Sequence, residues 1–189
     1  MKTTKIKIRG LTPLIMHNGQ LADPLCEATQ LLAKLSSKRK KTIDDHRELS
    51  KAEWYGSLYV NDDGAPCLPG EVIEAALAEG ARKFKLGKVA KGGIIVPESA
   101  PLVYDGPKDA DAMWESGRFL KRAGVRVQQA RVIRSRPIFP VWGCEIHVTW
   151  DPTLVKDADQ LLEIAHAAGQ SGIGDWRPKF GRFEVVSAK

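Results

Sequence analysis

Near its C-terminus the chain reads Gly172-Ile173-Gly174-Asp175-Trp176-Arg177-Pro178-Lys179-Phe180-Gly181-Arg182-Phe183, and a short apolar strand is predicted from Phe183 to Val186. Glycines allow a backbone to approach a ligand closely and to adopt positive φ. The phosphate loop of a nucleotide cofactor leaves a strand and opens a helix. This stretch leaves a predicted helix and enters a strand. It therefore fits a groove for a polynucleotide backbone better than a nucleotide-cofactor site.

The regions outside this glycine loop (residues 172–183) supply the strands and the first helix of a small core. Lys5–Arg9 alternates cations with apolar residues, which is typical of a strand with one solvated face. Pro69-Gly70-Glu71 has the entry signals of a helix, with proline near the start and an acid in the first turn. Asn61-Asp62-Asp63-Gly64 predicts a hairpin turn between strands at 59–60 and 67–68. Residues 85–91 are expected to form a loop, and a short strand is predicted over 92–96. Gly143–Trp150 alternates cleanly as a further strand. These segments predict antiparallel strands with helices between them.

The last helix precedes the glycine loop. Asp157 or Asp159 is expected to cap it at its start, and Gly169 to close it after Ala168. Without its insertions the chain then runs strand, helix, strand, strand, helix, strand. That order predicts an α+β fold with a ferredoxin-like, RRM-like βαββαβ core.

Two insertions interrupt the predicted core. The first is a helical hairpin at about 20–57, because apolar residues recur at helical spacing over 25–35 and a second helix is expected from about Thr42 to Tyr55. The second is a polar excursion at about 100–125. Residues 125–139 are rich in β-forming residues with mixed facing. We therefore expect one RRM-like domain over 1–189 that carries both insertions.

Composition limits the class of protein. The chain has 189 residues, of which 43% are hydrophobic and 28% charged, as is usual for a globular protein. Three widely spaced cysteines form no CxxC pair and no disulfide framework, and the start leads into a strand rather than a signal peptide. We expect a cytoplasmic protein that has no membrane partner. No spacing of His, Cys, Asp or Glu suggests a metal, and no cofactor is expected.

The positive charge is concentrated in clusters. The net charge is +6, and residues 118–136 contain seven basic residues and no acid. Five more cations lie between Arg82 and Lys91 without an acid, and a basic tetrad occupies 38–41. A single cluster of this kind is commonly a solvated surface. Three clusters together with a basic glycine loop favour nucleic-acid binding.

Three motifs, in order, resemble the RAMP superfamily, the repeat-associated proteins of CRISPR systems. The segment Cys67–Leu77 resembles the superfamily's "PGSSLKGALR"-type turn and helix, and the glycine loop resembles its C-terminal glycine-rich loop. The opening Gly10-Leu11-Thr12-Pro13-Leu14 is similar to its first strand and "TPL" turn. Glu71 and Glu74 stand where the family favours small or basic residues.

The resemblance implies a function in antiviral defence, in a bacterial or phage-infected cell. Within the superfamily the chain is most similar to the backbone subunits of CRISPR effector complexes and to small phage-borne relatives. It implies a guide-like single-stranded RNA as ligand, self-association into a filament or helical oligomer, other CRISPR effector subunits as partners, and the inserted hairpin as a thumb.

Binding is better supported than catalysis. The predicted RNA contacts are His17, Asn18, Lys38, Arg39, Lys40, Lys41, Arg126, Arg131, Arg134, Arg136, Gly172, Gly174, Trp176, Arg177, Lys179 and Arg182. Trp176 is expected to be exposed and to stack on a base.

Two residues are weak catalytic candidates through the resemblance. Some backbone subunits cut RNA with an aspartate in the region of Asp23, and processing nucleases of the superfamily use a histidine near His17. Asp23 before Pro24 also suits a helix cap or a turn. Two alternatives therefore stay open: a metal-independent endoribonuclease that acts through His17, and a phage protein that mimics or inhibits a CRISPR complex or binds single-stranded DNA.

Overall fold

The computed structural model describes residues 1–189, apart from the side chain of Val127. The helices and strands are, in chain order, β1 (Lys2–Gly10), β2 (Leu14–Ile15), α1 (Glu27–Ser36), α2 (Ile43–Ser57), β3 (Cys67–Leu68), α3 (Gly70–Arg82), α4 (Gly87–Gly93), β4 (Ile94–Ile95), β5 (Ala100–Pro101), α5 (Ala110–Ser116), β6 (Leu120–Val127), β7 (Ala130–Phe139), β8 (Gly143–Trp150), α6 (Ala158–Ser171) and β9 (Phe183–Ala188). A 3-10 turn at Gly19–Ala22 precedes α1.

The chain forms two compact units. The first consists of Met1–Leu14, Val60–Gly106 and Phe139–Lys189, and the second of Ile15–Tyr59 and Pro107–Ile138. Each is described separately below.

The first unit has the predicted ferredoxin-like core. Its sheet has the strand order β4-β8-β1-β9, and β1 is antiparallel to both of its neighbours. With α3 after β1 and α6 after β8, the order is βαββαβ, which confirms the predicted fold class.

The alternating pattern of β1 accounts for the two faces of this sheet. Ile6 and Ile8 are buried, whereas Lys5, Lys7 and Arg9 are exposed. The same alternation in β8 buries Ile146, the residue that pairs with Ile6 of β1. One face therefore belongs to the core and the other is polar, as the period of two requires.

Four local predictions differ from the structure of the first unit. The helix α6 is capped by Asp157 but runs through Gly169 to Ser171, and Gly172, with φ +84°, ends it. Residues 85–91 were expected to be a loop, yet α4 forms from Gly87. The strand expected over 92–96 contains only Ile94–Ile95. The predicted hairpin around Asn61–Gly64 is reduced to a turn with one isolated bridge, between Val60 and Pro66. Strand β3 pairs with β5 rather than with residues 59–60.

The second unit packs the α1–α2 hairpin against the antiparallel β6–β7 hairpin. The hairpin predicted at 20–57 is present, and a capping box between Thr42 and Asp45 starts α2. The buried Trp54 donates a hydrogen bond from its indole nitrogen to the carbonyl of Phe119 at 2.8 Å. The buried hydroxyls of Ser50 and Ser135 hydrogen-bond each other at 2.7 Å. These buried polar groups thus have partners across this interface, as a stable core requires.

Two elements of the second unit were missed in the sequence. The polar excursion contains α5, which Asp109 caps through a 2.9 Å bond from the Ala112 amide. The β-rich segment is not one bulged strand, because Gln128 and Gln129 form a turn that reverses the chain between β6 and β7. No helix in the described part of the chain has the length and apolar character that crossing a membrane requires.

Candidate nucleic-acid interface

The β6–β7 hairpin carries an unusual cross-strand pair of like charges. In the register of the two strands Arg126 lies directly opposite Arg131, and both are exposed. Arg126 donates from its Nε to the Gln128 carbonyl at 3.2 Å. Within the part of the chain that the structure describes, neither arginine has a carboxylate in an ion pair. Like charges directly opposite destabilise a hairpin, so this arrangement favours an anionic ligand.

Two other predicted contacts on β7 are committed to a carboxylate. The Nη1 atoms of Arg134 and Arg136 lie 3.2 and 2.8 Å from the same Glu53 oxygen. The other Glu53 oxygen accepts from the Ser135 amide at 2.8 Å. Arg136 has 7% of its side chain exposed and Arg134 has 41%. This geometry favours a structural role for Arg136 and leaves Arg134 partly accessible.

The basic tetrad lies in the connection between α1 and α2 and divides into two pairs. Lys38 forms an ion pair with Asp45 and holds the pKa of that carboxyl down to about 2, together with Thr42. The Lys41 ammonium donates to the carbonyls of Ser36 and Lys38, both at 2.7 Å. Arg39 and Lys40 are exposed. We therefore expect these two residues, rather than Lys38 and Lys41, to be available to a ligand.

The predicted contact Asn18 and the catalytic candidates His17 and Asp23 follow β2, and each makes a hydrogen bond. Asn18 accepts from the Gln20 amide at 3.0 Å and donates to the Leu58 carbonyl at 3.2 Å, so both ends of its side chain are engaged. Asp23 accepts from the Leu25 amide at 2.9 Å, which is the geometry of a turn residue. His17 is exposed, and its carbonyl accepts from the Tyr59 hydroxyl at 2.9 Å.

The glycine loop closes on the chain itself. Gly181 has φ +72°, and a Cβ there would overlap the Ile173 carbonyl. A Cβ on Gly172 would lie 2.7 Å from the Phe180 carbonyl oxygen. These two glycines therefore permit close packing within the loop, and Gly172 is buried.

The loop also joins the two ends of the sequence that carry the family resemblance. The Gly181 amide donates to the Pro13 carbonyl at 2.8 Å, and the Arg182 amide to the Thr12 hydroxyl at 2.9 Å. The "TPL" turn and the glycine loop are thus adjacent in the first unit. Their packing gives the loop a structural role.

Trp176 and Arg177 line an open groove of about 610 Å³. Arg177, Lys179 and Arg182 are exposed, whereas Trp176 is half-buried and packs edge-on to Phe180. Gly174 also lines this groove, but so do two acids, Glu79 and Asp175. The groove has mixed charge, and it is less clearly suited to an anion than the β6–β7 hairpin.

Two sets of exposed cations were not among the individual contacts predicted from the sequence, although Arg122 belongs to the basic cluster at 118–136. Arg122 is exposed on β6, on the same face as Arg126, because the two are four positions apart along a strand. Lys5 and Lys7 are exposed on the polar face of β1, while the neighbouring Arg9 pairs with Glu184. The alternating pattern of β1 could have identified Lys5 and Lys7 as exposed cations from the sequence alone.

The described residues offer little for other chemistry. No group of three or more His, Cys, Asp or Glu side chains among them is placed to hold a metal ion. Burial raises the pKa of the Cys144 thiol to about 12 and also raises the pKa of Cys67. Both thiols are therefore protonated near neutral pH and are poor nucleophiles.

The fold is similar to that of a chain in the cryo-EM structure of type III-B Cmr-beta bound to cognate target RNA. The TM-score is 0.52 at 10% sequence identity, and the match covers 99% of this chain and 59% of that chain. This chain thus spans less than two thirds of the neighbour's length. At this identity the likeness concerns the fold alone. No family model and no curated protein matches the sequence.

Proposed function

We propose that this chain is a RAMP-type protein that binds single-stranded RNA, acting in the cytoplasm as a backbone-like subunit of a CRISPR-type complex. In this proposal the first unit is the RRM-like palm, and the second is the thumb of the same domain. The opposed pair Arg126 and Arg131 carries the proposal, because a polyanion offsets the repulsion that the pair otherwise imposes. The RNA-bound state of the Cmr-beta neighbour is further support.

The proposed contacts are the exposed cations. In the second unit they are Arg122, Arg126, Arg131, Arg39 and Lys40, and Arg134 contributes through its accessible part. In the first unit, Arg177, Lys179 and Arg182 provide a further set around Trp176. Phosphate contacts position a strand without reading its sequence, so binding is expected to tolerate many sequences.

The proposal predicts salt-dependent preference for single-stranded RNA. Filter binding would compare single-stranded RNA, single-stranded DNA and duplex RNA at about 50 and about 200 mM salt. For a single strand, log affinity falls with log salt by about 0.7 for each phosphate contact. RNA should bind most tightly, with a slope that reflects several contacts. An equal affinity for all three nucleic acids, or an affinity independent of salt, would contradict the proposal.

Self-association along the RNA is the finer part of the proposal and rests on the resemblance to backbone subunits. The mass of complexes formed on RNAs of increasing length would test it. Stepwise addition of protein copies is expected as the RNA lengthens, because each copy occupies its own stretch of strand. One copy per RNA at every length would contradict self-association and leave RNA binding itself intact.

A further inference from the structure

A groove of about 340 Å³ lies entirely within the second unit. The helices α1 and α2 form one wall, and strands β6 and β7 form the other. This volume is at the lower end of the range for small-ligand sites, and an open mouth leaves one side accessible. None of its lining residues except Arg134 was selected from the sequence as a contact.

The interior of the groove is largely apolar. Leu32 of α1, Leu49 of α2 and Ile133 of β7 all line it. Ile133 is 58% exposed, although it is a large hydrophobic residue in the middle of a strand. A planar apolar group could lie with its flat face against this surface. Its binding would remove Ile133 from water.

The charge around the groove is positive. Arg122, Arg134 and Glu53 line it, and the buried Arg136 forms an ion pair with Glu53. Two guanidiniums and one carboxylate therefore line the groove, and a third guanidinium is paired with that carboxylate. Because Glu53 is already bonded to two of the arginines, the excess positive charge favours an anion near Arg122 and Arg134.

The strand register connects the groove to the opposed arginine pair. Arg122, Arg126 and Arg131 lie on the same face of the β6–β7 hairpin as Ile133, because cross-strand partners and residues two apart share a face. Arg122 and Arg126 are separated by four residues, or about 13 Å along the strand. A basic path thus runs from the turn of the hairpin to the groove.

We propose that this groove holds one nucleotide of the bound RNA strand, with the base between Leu32, Leu49 and Ile133 and the phosphate at Arg122 and Arg134. This inference rests on the proposed function and adds a specific site to it. Polar side chains such as Thr29, Ser36 and His46 also line the groove, but the proposed base contacts are with apolar residues, which do not distinguish one base from another. We therefore expect the site to bind a base without strong sequence preference.

Filling the groove tests the proposal. Ala33 is exposed and lines the groove, so Ala33→Trp would occupy it without disturbing the core. Leu31→Trp is the matched control, because Leu31 is 48% exposed on the same helix and does not line the groove. Ala33→Trp should weaken RNA binding by about tenfold, the loss expected when one base contact is removed. Leu31→Trp should bind like the wild type.

Amide chemical shifts distinguish an error in the groove inference from an error in the RNA-binding proposal. On titration with a short single-stranded RNA, amides of α1, α2 and β7 beside the groove should shift in the wild type and not in Ala33→Trp. If glycine-loop or hairpin-turn amides shift while groove amides do not, the groove inference is wrong and RNA binding stands. If no amide shifts and filter binding detects no RNA, both are wrong. Groove shifts produced equally by an apolar peptide without phosphate would also overturn the nucleotide assignment.

Discussion

Replacing Arg122, Arg126 and Arg131 together by glutamine is expected to weaken binding of single-stranded RNA by about tenfold or more at low salt. The three side chains are exposed on one face of the β6–β7 hairpin, and two of them face each other. Losing three phosphate contacts should also lower the slope of log affinity against log salt by about 2. Filter binding over a range of salt concentrations measures both effects.

A control with the same loss of charge distinguishes local contacts from the overall field. Lys108, Lys156 and Lys189 are exposed and lie outside the proposed surface, so their triple replacement by glutamine removes three charges elsewhere. This variant should keep a slope close to that of the wild type. Equal weakening by the two triple variants would mean that net charge, and not the hairpin, governs binding. The hairpin variant should also unfold no more readily than the wild type, because the Arg126–Arg131 repulsion is gone.

Glu53→Ala is expected to lower the free energy of unfolding by about 3–5 kcal/mol. The carboxylate is buried, and its removal takes away the oxygen that lies 2.8 Å from the Nη1 of the buried Arg136 and the acceptor of the Ser135 amide. Uncompensated buried charge is among the most costly single defects in a protein core. Urea unfolding followed by circular dichroism measures the change, and the loss should concern the second unit first.

Two further variants make this prediction specific. Glu48→Ala removes an exposed carboxylate from the same helix and should change the unfolding free energy by less than about 0.5 kcal/mol. The double variant Glu53→Leu with Arg136→Met should recover much of the loss, because a buried ion pair can be replaced by apolar residues at small cost. A Glu53→Ala protein as stable as Glu48→Ala would show that the cluster does not hold the two hairpins together.

The parts of the fold that sequence predicts well are those with local signals. The alternation of Lys5–Arg9 predicts a half-exposed strand, and the structure has β1 there. Proline at 69 and aspartate at 157 mark the starts of α3 and α6 correctly. These features depend on side chains close together in the chain, so a pattern can reveal them.

The β6–β7 hairpin lacks such a signal. Its turn consists of Gln128 and Gln129, and Gln128 adopts φ +53°, a conformation usually taken by glycine or asparagine. The sequence therefore suggests one irregular β segment where the structure has two paired strands. The opposed position of Arg126 and Arg131 follows only from the register of that hairpin.

The Glu53 cluster could not be predicted because its members are far apart in the chain. Glu53 and Arg134 are separated by 81 residues, and no local pattern marks either as a partner of the other. Because the sequence gives no sign of their partner Glu53, Arg134 and Arg136 were both predicted to contact a ligand. The glycine loop was correctly located, but its tight turns pack against Ile173 and Phe180 rather than standing open to a ligand.

The nucleic acid that accompanies the protein during purification tests the central claim most directly. The protein would be purified at low salt without added nuclease, and the bound material digested separately with RNase and DNase and then sequenced. The account predicts RNA that is sensitive to a single-strand-specific RNase and is released by high salt. Recovery of DNA, of duplex RNA, or of protein free of nucleic acid that also fails to bind added single-stranded RNA would contradict it.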